Sequence, residues 1–451
     1  MEESIQRALE ALDPKEPIDL VKKLVNIPSP EGEELECARF LQAYMQDAGI
    51  ETHLQEVEEG RANVISVVRG EGDGPTLMFN GHLDTSYTGD FWADYPGLGT
   101  PGPNHRPQTY EIGDGIYGLG AQNMKGGIAA AFVTLRALKR AGVKLRGHVM
   151  ASGVAGESEK APVRGAMRNY QGRHYRGSGH GAKYLISHWE PIDYAIVGEP
   201  SGLYVVNGQA GYLFIKIIIW GKSAYLSTKG HRGSGISAIE EAAEVVRALS
   251  EWGPLYTERH TFDTGMGVIE PAVTIGSIDS GWPYAPSQVP GVCHLYINLR
   301  TTPRLSGKQA LAELDARLRE LKAERPNLKY ELEVYLSNDP STMTPADSAL
   351  VRTAVSVMED RLHFPTQPFA RGEGNASNDT NTFRRNGIPA IKCGPNVRTE
   401  SNGPELTREN GVHVAKGDLV QATHFYLHMA CELSGRTREE VSNFSSSLSK
   451  R

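Results

Sequence analysis

At 451 residues, with 47 Lys plus Arg against 54 Asp plus Glu, the chain has room for two or three domains, and its net charge of −7 argues against non-specific binding to nucleic acid or an anionic membrane. A hydrophobic content of 39%, a charged content of 22% and 49 glycines describe a globular chain rich in tight turns, and no window approaches the roughly 18 apolar residues of a membrane span. Cys37, Cys293, Cys393 and Cys431 are scattered without a CxxC pair, so neither a disulfide framework nor a thiolate zinc site is suggested. The N-terminal "MEESIQRALEALDPKEP" has neither the basic start nor the apolar core of a signal peptide, and a cytoplasmic protein is expected.

Helical periodicity opens the chain in "SIQRALEAL" and "PIDLVKKLVNI", and "SPEGEE" starts a further helix through "LECARFLQAYMQDAG". Apolar runs then read as strands at "ANVISVVRG" and "PTLMFNGH", a helix at "GGIAAAFVTLRALKRAG", and strands at "HVMASGVAG" and "YAIVGEP". Strands alternating with long helices predict an α/β fold whose mostly parallel sheet carries helices on both faces. Beyond Pro200 the order becomes strand "YLFIKIIIW", helix "SAIEEAAEVVRALSEW", strands "AVTIGSI" and "GVCHLYINLR", helix "KQALAELDARLRELKAE" and strand "KYELEVYL". That is the β-α-β-β-α-β pattern of an α+β, ferredoxin-like unit. Alternation returns with "ALVRTAVSVMEDRL", "IPAIKCG" and "DLVQATHFYLHMACEL". The simplest organisation is one α/β domain in two parts, 1–206 and 338–451, interrupted by an inserted ferredoxin-like domain at 207–337. No internal repeat is visible, and the Ser-rich end "SNFSSSLSKR" is expected to fray.

The stretch "GHLDTSYTGD", residues 81–90, sets His82 and Asp84 two apart where a strand ends, and the rim of an open α/β sheet is where such folds hold ligands. A hydrogen-bonded turn would look the same in isolation. Three more segments follow in order: "GAQNMKGG" (120–127), "GVAGES" (153–158) and "VGEP" (197–200). With the insertion directly after the fourth, the chain resembles, over nearly its whole length, the co-catalytic zinc amidohydrolases and exopeptidases, the family of aminoacylase, acetylornithine deacetylase, succinyl-diaminopimelate desuccinylase and glutamate carboxypeptidase. Family members read GHxD, GxxDMKGG, DEE, a GEP-like segment and a late HTxxE; "NMKGGIAAA" matches the most specific of these apart from its first letter.

The resemblance implies that His82 and Glu199 ligate one metal ion and that the Asp84 carboxylate orients the His82 imidazole. It makes Glu157 the general base, which takes a proton from the attacking water and later hands it to the leaving amine. Four positions depart from the family. Its bridging carboxylate falls on Asn123, its second glutamate on Ser158 and its late histidine on Leu406, while the histidine that steadies the oxyanion across the dimer becomes Tyr225. Ser158 and Leu406 together would erase the second metal site. What is left, His82, Glu199 and Asn123, could hold at most one divalent ion, with zinc the first choice. A carboxamide is a poor zinc ligand, so a harder ion or no ion is also open.

Arg300 lies where family members often set an arginine against the substrate carboxylate, although a surface ion pair would use the same residue. "SNDTNTFRRNGIP" replaces an SDA-like turn, so Asn378 and Asp379 are expected to line the pocket, with Ser158 beside them. His424 and His428 stand four apart without the acid of an HExxH motif and read as structural. From Lys160 to Trp189 there is no acidic residue, but Lys160, Arg164, Arg168, Arg173, Arg176 and Lys183 occur with three histidines; this is either a solvated loop or dimer contact or a positive field for an anionic substrate, and His174 and His180 could replace lost ligands.

The expected function is an amidohydrolase- or peptidase-like enzyme acting on a small, carboxylate-bearing amide. Glu157 would be its base, Tyr225 of the partner subunit its oxyanion donor, and the inserted domain its lid and homodimer contact. The alternatives are a metal-independent enzyme on the same scaffold, running decarboxylation, elimination or hydrolysis by acid/base chemistry, and a non-catalytic binding protein, against which the retention of Glu157 counts.

Overall fold

The computed structural model of the chain describes residues 2–98, 102–158, 163, 165, 175–225, 235–396 and 412–448. Three helices, α1 (Glu2–Glu10), α2 (Lys15–Val25) and α3 (Leu35–Asp47), precede a sheet built from β1 (Glu51–Glu58), β2 (Arg61–Val68) and β3 (Leu77–His82). After α4 (Gly126–Arg140), β4 (Val149–Val154), α5 (His180–His188) and β5 (Tyr194–Val197) the chain leaves this domain. The excursion comprises β6 (Gly211–Trp220), α6 (Ala238–His260), β7 (Val273–Ser280), β8 (Val292–Thr301), α7 (Gly307–Glu324) and β9 (Lys329–Ser337). It returns through α8 (Ala349–Ser356) and α9 (Asp379–Arg385) to β10 (Ala390–Lys392) and α10 (Lys416–Met429).

The first sheet has the order β1-β2-β4-β3-β5-β10. Its strands β4, β3, β5 and β10 run parallel, and β2 and β1 are added antiparallel at one side. Strand β2, β3 and β4 residues are buried throughout, as a sheet covered on both faces demands. One core joins the sheet to α2, α3, α4 and α10, and a second, made by Ile65, Met78, Met150 and Val197, receives α5 and α9 from the other side. Strand β1 gives no clear apolar run because it is an edge strand whose charged face meets solvent. The Ser-rich end is also more ordered than expected: a helix runs over Arg438–Leu448, and Val441 buries into the first core.

The inserted sheet has the order β7-β8-β6-β9, entirely antiparallel, which is the ferredoxin-like arrangement. Leu213, Ile215, Ile217 and Ile219 of β6 alternate inward with Cys293, Leu295, Ile297 and Leu299 of β8, and together they bury the apolar stripes of α6 and α7. Both connections to the α/β domain pass one point, where Gly208–Gln209 pairs antiparallel with Thr342–Met343. Helix α9 grips that point. Asn381 donates to Ala210 O at 2.8 Å and accepts from Thr342 N at 3.1 Å, Thr380 donates to Gln209 Oε1 at 2.5 Å, and Arg384 donates to Thr342 O at 3.1 Å. No helix among the described residues is long and apolar enough to cross a membrane.

Candidate active site

Parallel strands β3, β4 and β5 end side by side, with His82 opposite Val154 and Asn80 opposite Val197. The loops that leave their carboxyl ends therefore meet at one rim. They bring His82, Glu157, Ser158 and Glu199 together, and the turn ahead of α4 adds Asn123. Two glycines make this closeness possible. A Cβ on Gly127 would lie 1.9 Å from Gly198 O, so the second glycine of "MKGG" lets α4 press against the backbone that carries Glu199. Gly156, at φ +71°, would put a Cβ 2.6 Å from both Arg176 O and the Arg61 guanidinium. Lys125 of the same motif is buried and caps α2, donating to Leu24 O and Ile27 O at 2.9 Å each.

His82 is the centre. Its Nδ1 lies 2.8 Å from Asp84 O, and its Nε2 lies 2.9 Å from Asn123 Oδ1, 3.2 Å from Glu199 Oε1 and 4.0 Å from Glu157 Oε2. Both ring nitrogens face oxygen acceptors, which is the environment of an imidazolium. Burial opposes that charge, but the Glu199 hydrogen bond and the charges of Asp84, Glu199 and Glu157 outweigh it and hold the imidazole well above its ordinary range. The residue expected to orient His82 does so by another atom. The Asp84 main-chain carbonyl makes the short contact, while its carboxylate stands 3.9 Å from Nδ1 and accepts instead from Glu157 N at 3.0 Å, Ser158 N at 2.9 Å and Ser158 Oγ at 2.6 Å. Ser158, where the family pattern has a glutamate, thus gives its hydroxyl proton to Asp84 and ties the Glu157 loop to it.

Asp379 arrives from α9. Its Oδ2 accepts from Asn80 Nδ2 at 3.0 Å, and Asn80 Oδ1 accepts from Ser152 Oγ at 2.8 Å, a relay inside the sheet. Asn378 does not offer its oxygen to the pocket: it caps α9, accepting from Thr380 N at 3.0 Å. Burial first, and then the neighbouring acids, push Glu157 well above the carboxylate range, and burial with Asp84 and Glu199 raises Asp379 to about 6. Asp84, with three donors and His82 nearby, stays low despite burial.

Among the described residues one set of side chains is placed to hold a metal ion: the ligand atoms of His82, Glu157 and Glu199 lie within 4.8 Å of one another. The separations of His82 Nε2 from Glu199 and Asn123 are near the roughly 3.4 Å edge of a tetrahedron with bonds of about 2.1 Å. Metal ligation would need Nε2 deprotonated, with the Nδ1 proton kept on Asp84 O.

Arg300, on β8, stands 5.2 Å from the Tyr212 ring; Tyr212 Oη lies 2.7 Å from Ser178 Oγ, and Ser178 N donates to Ser158 O at 2.7 Å, so Tyr212 and Ser178 link Arg300 to the Glu157 loop. Tyr225 sits in a short ladder with Gln288, half exposed, and takes part in none of the described bonds round His82. Arg176 approaches Glu58 at 3.5 Å, and Lys183 donates to Ser178 O at 2.8 Å. Among the described residues His180, His424 and His428 join no group of potential metal ligands; His180 begins α5, and His424 and His428 lie on α10. Lys160, Arg164, Arg168, Arg173, His174 and Leu406 lie outside the described residues. Sequence reasoning passed over Asn80, Ser152 and the buried Glu34–Arg61 pair; polar residues inside or beside wholly buried strands were the available signal.

A sequence model of peptidase family M20/M25/M40 matches residues 78–431. The chain is a member of that family. It is 28% identical over 320 residues to acetylornithine deacetylase from Aliivibrio fischeri, covering 70% of this chain and 74% of that one. It is 25% identical over 421 residues to succinyl-diaminopimelate desuccinylase from Methylorubrum extorquens, covering 91% and 97%. Among solved structures, a dinuclear metal-binding peptidase of the M20 family from Bacillus subtilis superposes with a TM-score of 0.60 at 15% identity, over 94% of this chain and 99% of that one. The M20 chain described here is accordingly a hydrolase acting on amide bonds, of a family that is typically dependent on divalent metal.

Proposed function

We propose that this M20 hydrolase cleaves a small amide bearing a carboxylate, with Glu157 as general base and one divalent ion, zinc as first choice, held by His82, Glu199 and Asn123. The observation that carries the reading is the gathering of four carboxylates, buried Asp84, Glu199 and Asp379 and partly buried Glu157, round a single imidazole. A buried site with that excess of negative charge favours a divalent cation. When bound, the ion would supply Lewis-acid polarisation and a more acidic water. Glu157 would take the proton of the attacking water at its carboxylate and return it to the leaving amine. Asp84 and Ser158 hold the Glu157 main chain in place for that transfer.

Arg300, supported on the Tyr212 ring, would meet the substrate carboxylate, and Arg176 and Lys183 would add to the field that draws in an anion. Tyr225 of the partner subunit would donate a hydrogen bond to the developing oxyanion. The homodimer this requires would form through the inserted domain, whose edge strand β7 and exposed Ile278, Trp282 and Tyr284 support a contact there. Four buried free cysteines suit a reducing, cytoplasmic setting. The alternative is acid/base chemistry without metal; Ser158, whose hydroxyl donates to Asp84 where a second ion would need a carboxylate, counts only against a two-ion site.

Elemental analysis of the purified protein, together with hydrolysis of N-acetyl and N-succinyl amino acids before and after chelation, tests the proposal. One zinc or less per chain and loss of amine release on chelation are expected. Two tightly held ions would overturn the single-ion assignment, and full activity after removal of all metal would favour the alternative.

A further inference from the structure

Strand β2 is buried along its whole length, and the two-residue period of a strand puts Asn63 on the face where Ile65 and Val67 enter the core that receives α5. An amide interrupts an apolar row there. Asn63 is wholly buried, a position that costs free energy unless its polar atoms are bonded. All of them are. Its Oδ1 accepts from Ala155 N at 3.0 Å, and its Nδ2 donates to Gly181 O at 3.0 Å and to Gln55 Oε1 at 2.8 Å. The ladder between β2 and β4 ends at Val64 opposite Gly153, so just past it the Asn63 side chain makes the bond that joins β2 to the chain leaving β4.

That chain is the loop that carries Glu157, and its main chain is held on both sides. Gly181 N donates to Ala155 O at 2.9 Å, and Gly179 N and His180 N both donate to Gly156 O at 3.0 Å. Amides at the start of a helix have no partner inside it, and here those that open α5 are spent on the loop. On the other side Glu157 N and Ser158 N donate to Asp84, and Ser158 O accepts from Ser178 N. Asn63 closes the arrangement. It bonds the first residue of the loop at Ala155 N and the first turn of α5 at Gly181 O, so loop and helix separate only if its amide bonds break.

We propose that Asn63 is a positioning residue for the general base: wholly buried, it meets no substrate, and by pinning Ala155 to the head of α5 it sets where Glu157 stands relative to His82. The inference rests on the assignment of Glu157 as base made above and adds to it a residue from another strand. A base works only within hydrogen-bond reach of the proton it takes, and a misplacement of about 1 Å costs on the order of 10²-fold in rate. Leucine at position 63 would keep the volume of the side chain and lose the bonds, leaving Ala155 N buried without an acceptor. Aspartate would keep an acceptor for Ala155 N and lose the donors to Gly181 O and Gln55.

The test compares Asn63→Leu, Asn63→Asp and Glu157→Gln with the intact parent, reading kcat and KM on N-acetyl and N-succinyl amino acids and, independently of activity, amide hydrogen exchange of residues 155–158 by mass spectrometry. Val441→Ala, a core truncation in the Arg438–Leu448 helix, controls for lost stability alone. In Asn63→Leu, kcat is expected to fall about 10²-fold with KM within twofold of the parent. The loop amides should exchange about tenfold faster, the worth of one or two hydrogen bonds. Asn63→Asp should recover kcat to within about tenfold of the parent, and Val441→Ala should change neither kcat nor the exchange of the loop. Unchanged loop exchange in Asn63→Leu, a kcat within twofold of the parent, or equal losses in Val441→Ala would overturn the role of Asn63. Full activity in Glu157→Gln, or no amine release by the parent, would instead sink the base assignment and leave the loop anchor to be decided by exchange.

Discussion

Arg61 and His82 are both buried beside the Glu157 loop, yet their surroundings differ. Arg61, wholly buried, is matched group for group: it donates to Glu34 at 2.9 and 2.6 Å, to Glu58 at 2.8 Å and to Arg176 O at 2.9 Å. His82 shares its pocket with Glu157, Glu199, Asp84 and Asp379, and the surplus appears as raised proton affinities on Glu157 and Asp379. Balanced charge holds a fold in one arrangement, whereas surplus charge of one sign is a reservoir for a cation or a proton. The first cluster anchors the Gly156–Glu157 turn by bonding across it to Arg176; the second uses that turn.

Substitution should separate the two. The largest effect is expected at Glu157→Gln: amine release should fall by about 10²- to 10⁴-fold, the range for a positioned general base, with thermal unfolding no earlier than in the parent. Retention of a tenth of the activity in steady-state assays would remove Glu157 from that role. Arg61→Met should act the other way round, lowering stability by about 3–5 kcal/mol in urea titrations because Glu34 is left buried without its counter-charge. A double variant, Arg61→Met with Glu34→Leu, should recover most of the loss, and failure to recover would mean that packing rather than charge balance dominates there.

Zinc supplies the next test. At about 100 times its dissociation constant it should add about 2.7 kcal/mol to the stability of the metal-free protein, read as a rise in unfolding temperature. Because His82 must give up its Nε2 proton to ligate, affinity should weaken by up to about tenfold for each pH unit below its raised proton affinity. A pH-independent affinity would place the ion elsewhere.

The smallest effect concerns Asp379→Asn in metal-free protein. A carboxyl titrating at about 6 in the folded state and near 3.8 when unfolded holds its proton more tightly folded, so it lowers stability as pH rises through that window. The asparagine variant should therefore gain on the order of 1 kcal/mol at pH 7 and nothing at pH 3. Equal shifts at both pH values would point to repacking of α9 rather than to charge.

What the chain makes legible is what depends on neighbours along it. Strand–helix alternation, the β-α-β-β-α-β insertion and the ordered segments "GHLD", "NMKGG", "GES" and "GEP" are local patterns, and they suffice to place His82, Glu157 and Glu199 at strand ends of an M20 hydrolase. Edge strand β1, with its mixed polarity, escaped because its pairing with β2 is a tertiary fact. Roles that depend on which atom of a residue meets which neighbour were equally closed to sequence: Asp84 steadies His82 through its carbonyl and the Glu157 loop through its carboxylate, and Asn378 spends its oxygen on a cap. The Asn80–Asp379 bond joins positions 299 residues apart, and the Asn63 bonds to Ala155 and Gly181 span 92 and 118 residues. Periodicity and motif order determined the elements and the chemistry they carry; the balance of charge inside each cluster was decided by long-range packing, since the strength of an electrostatic interaction is set by distance and by exclusion of solvent.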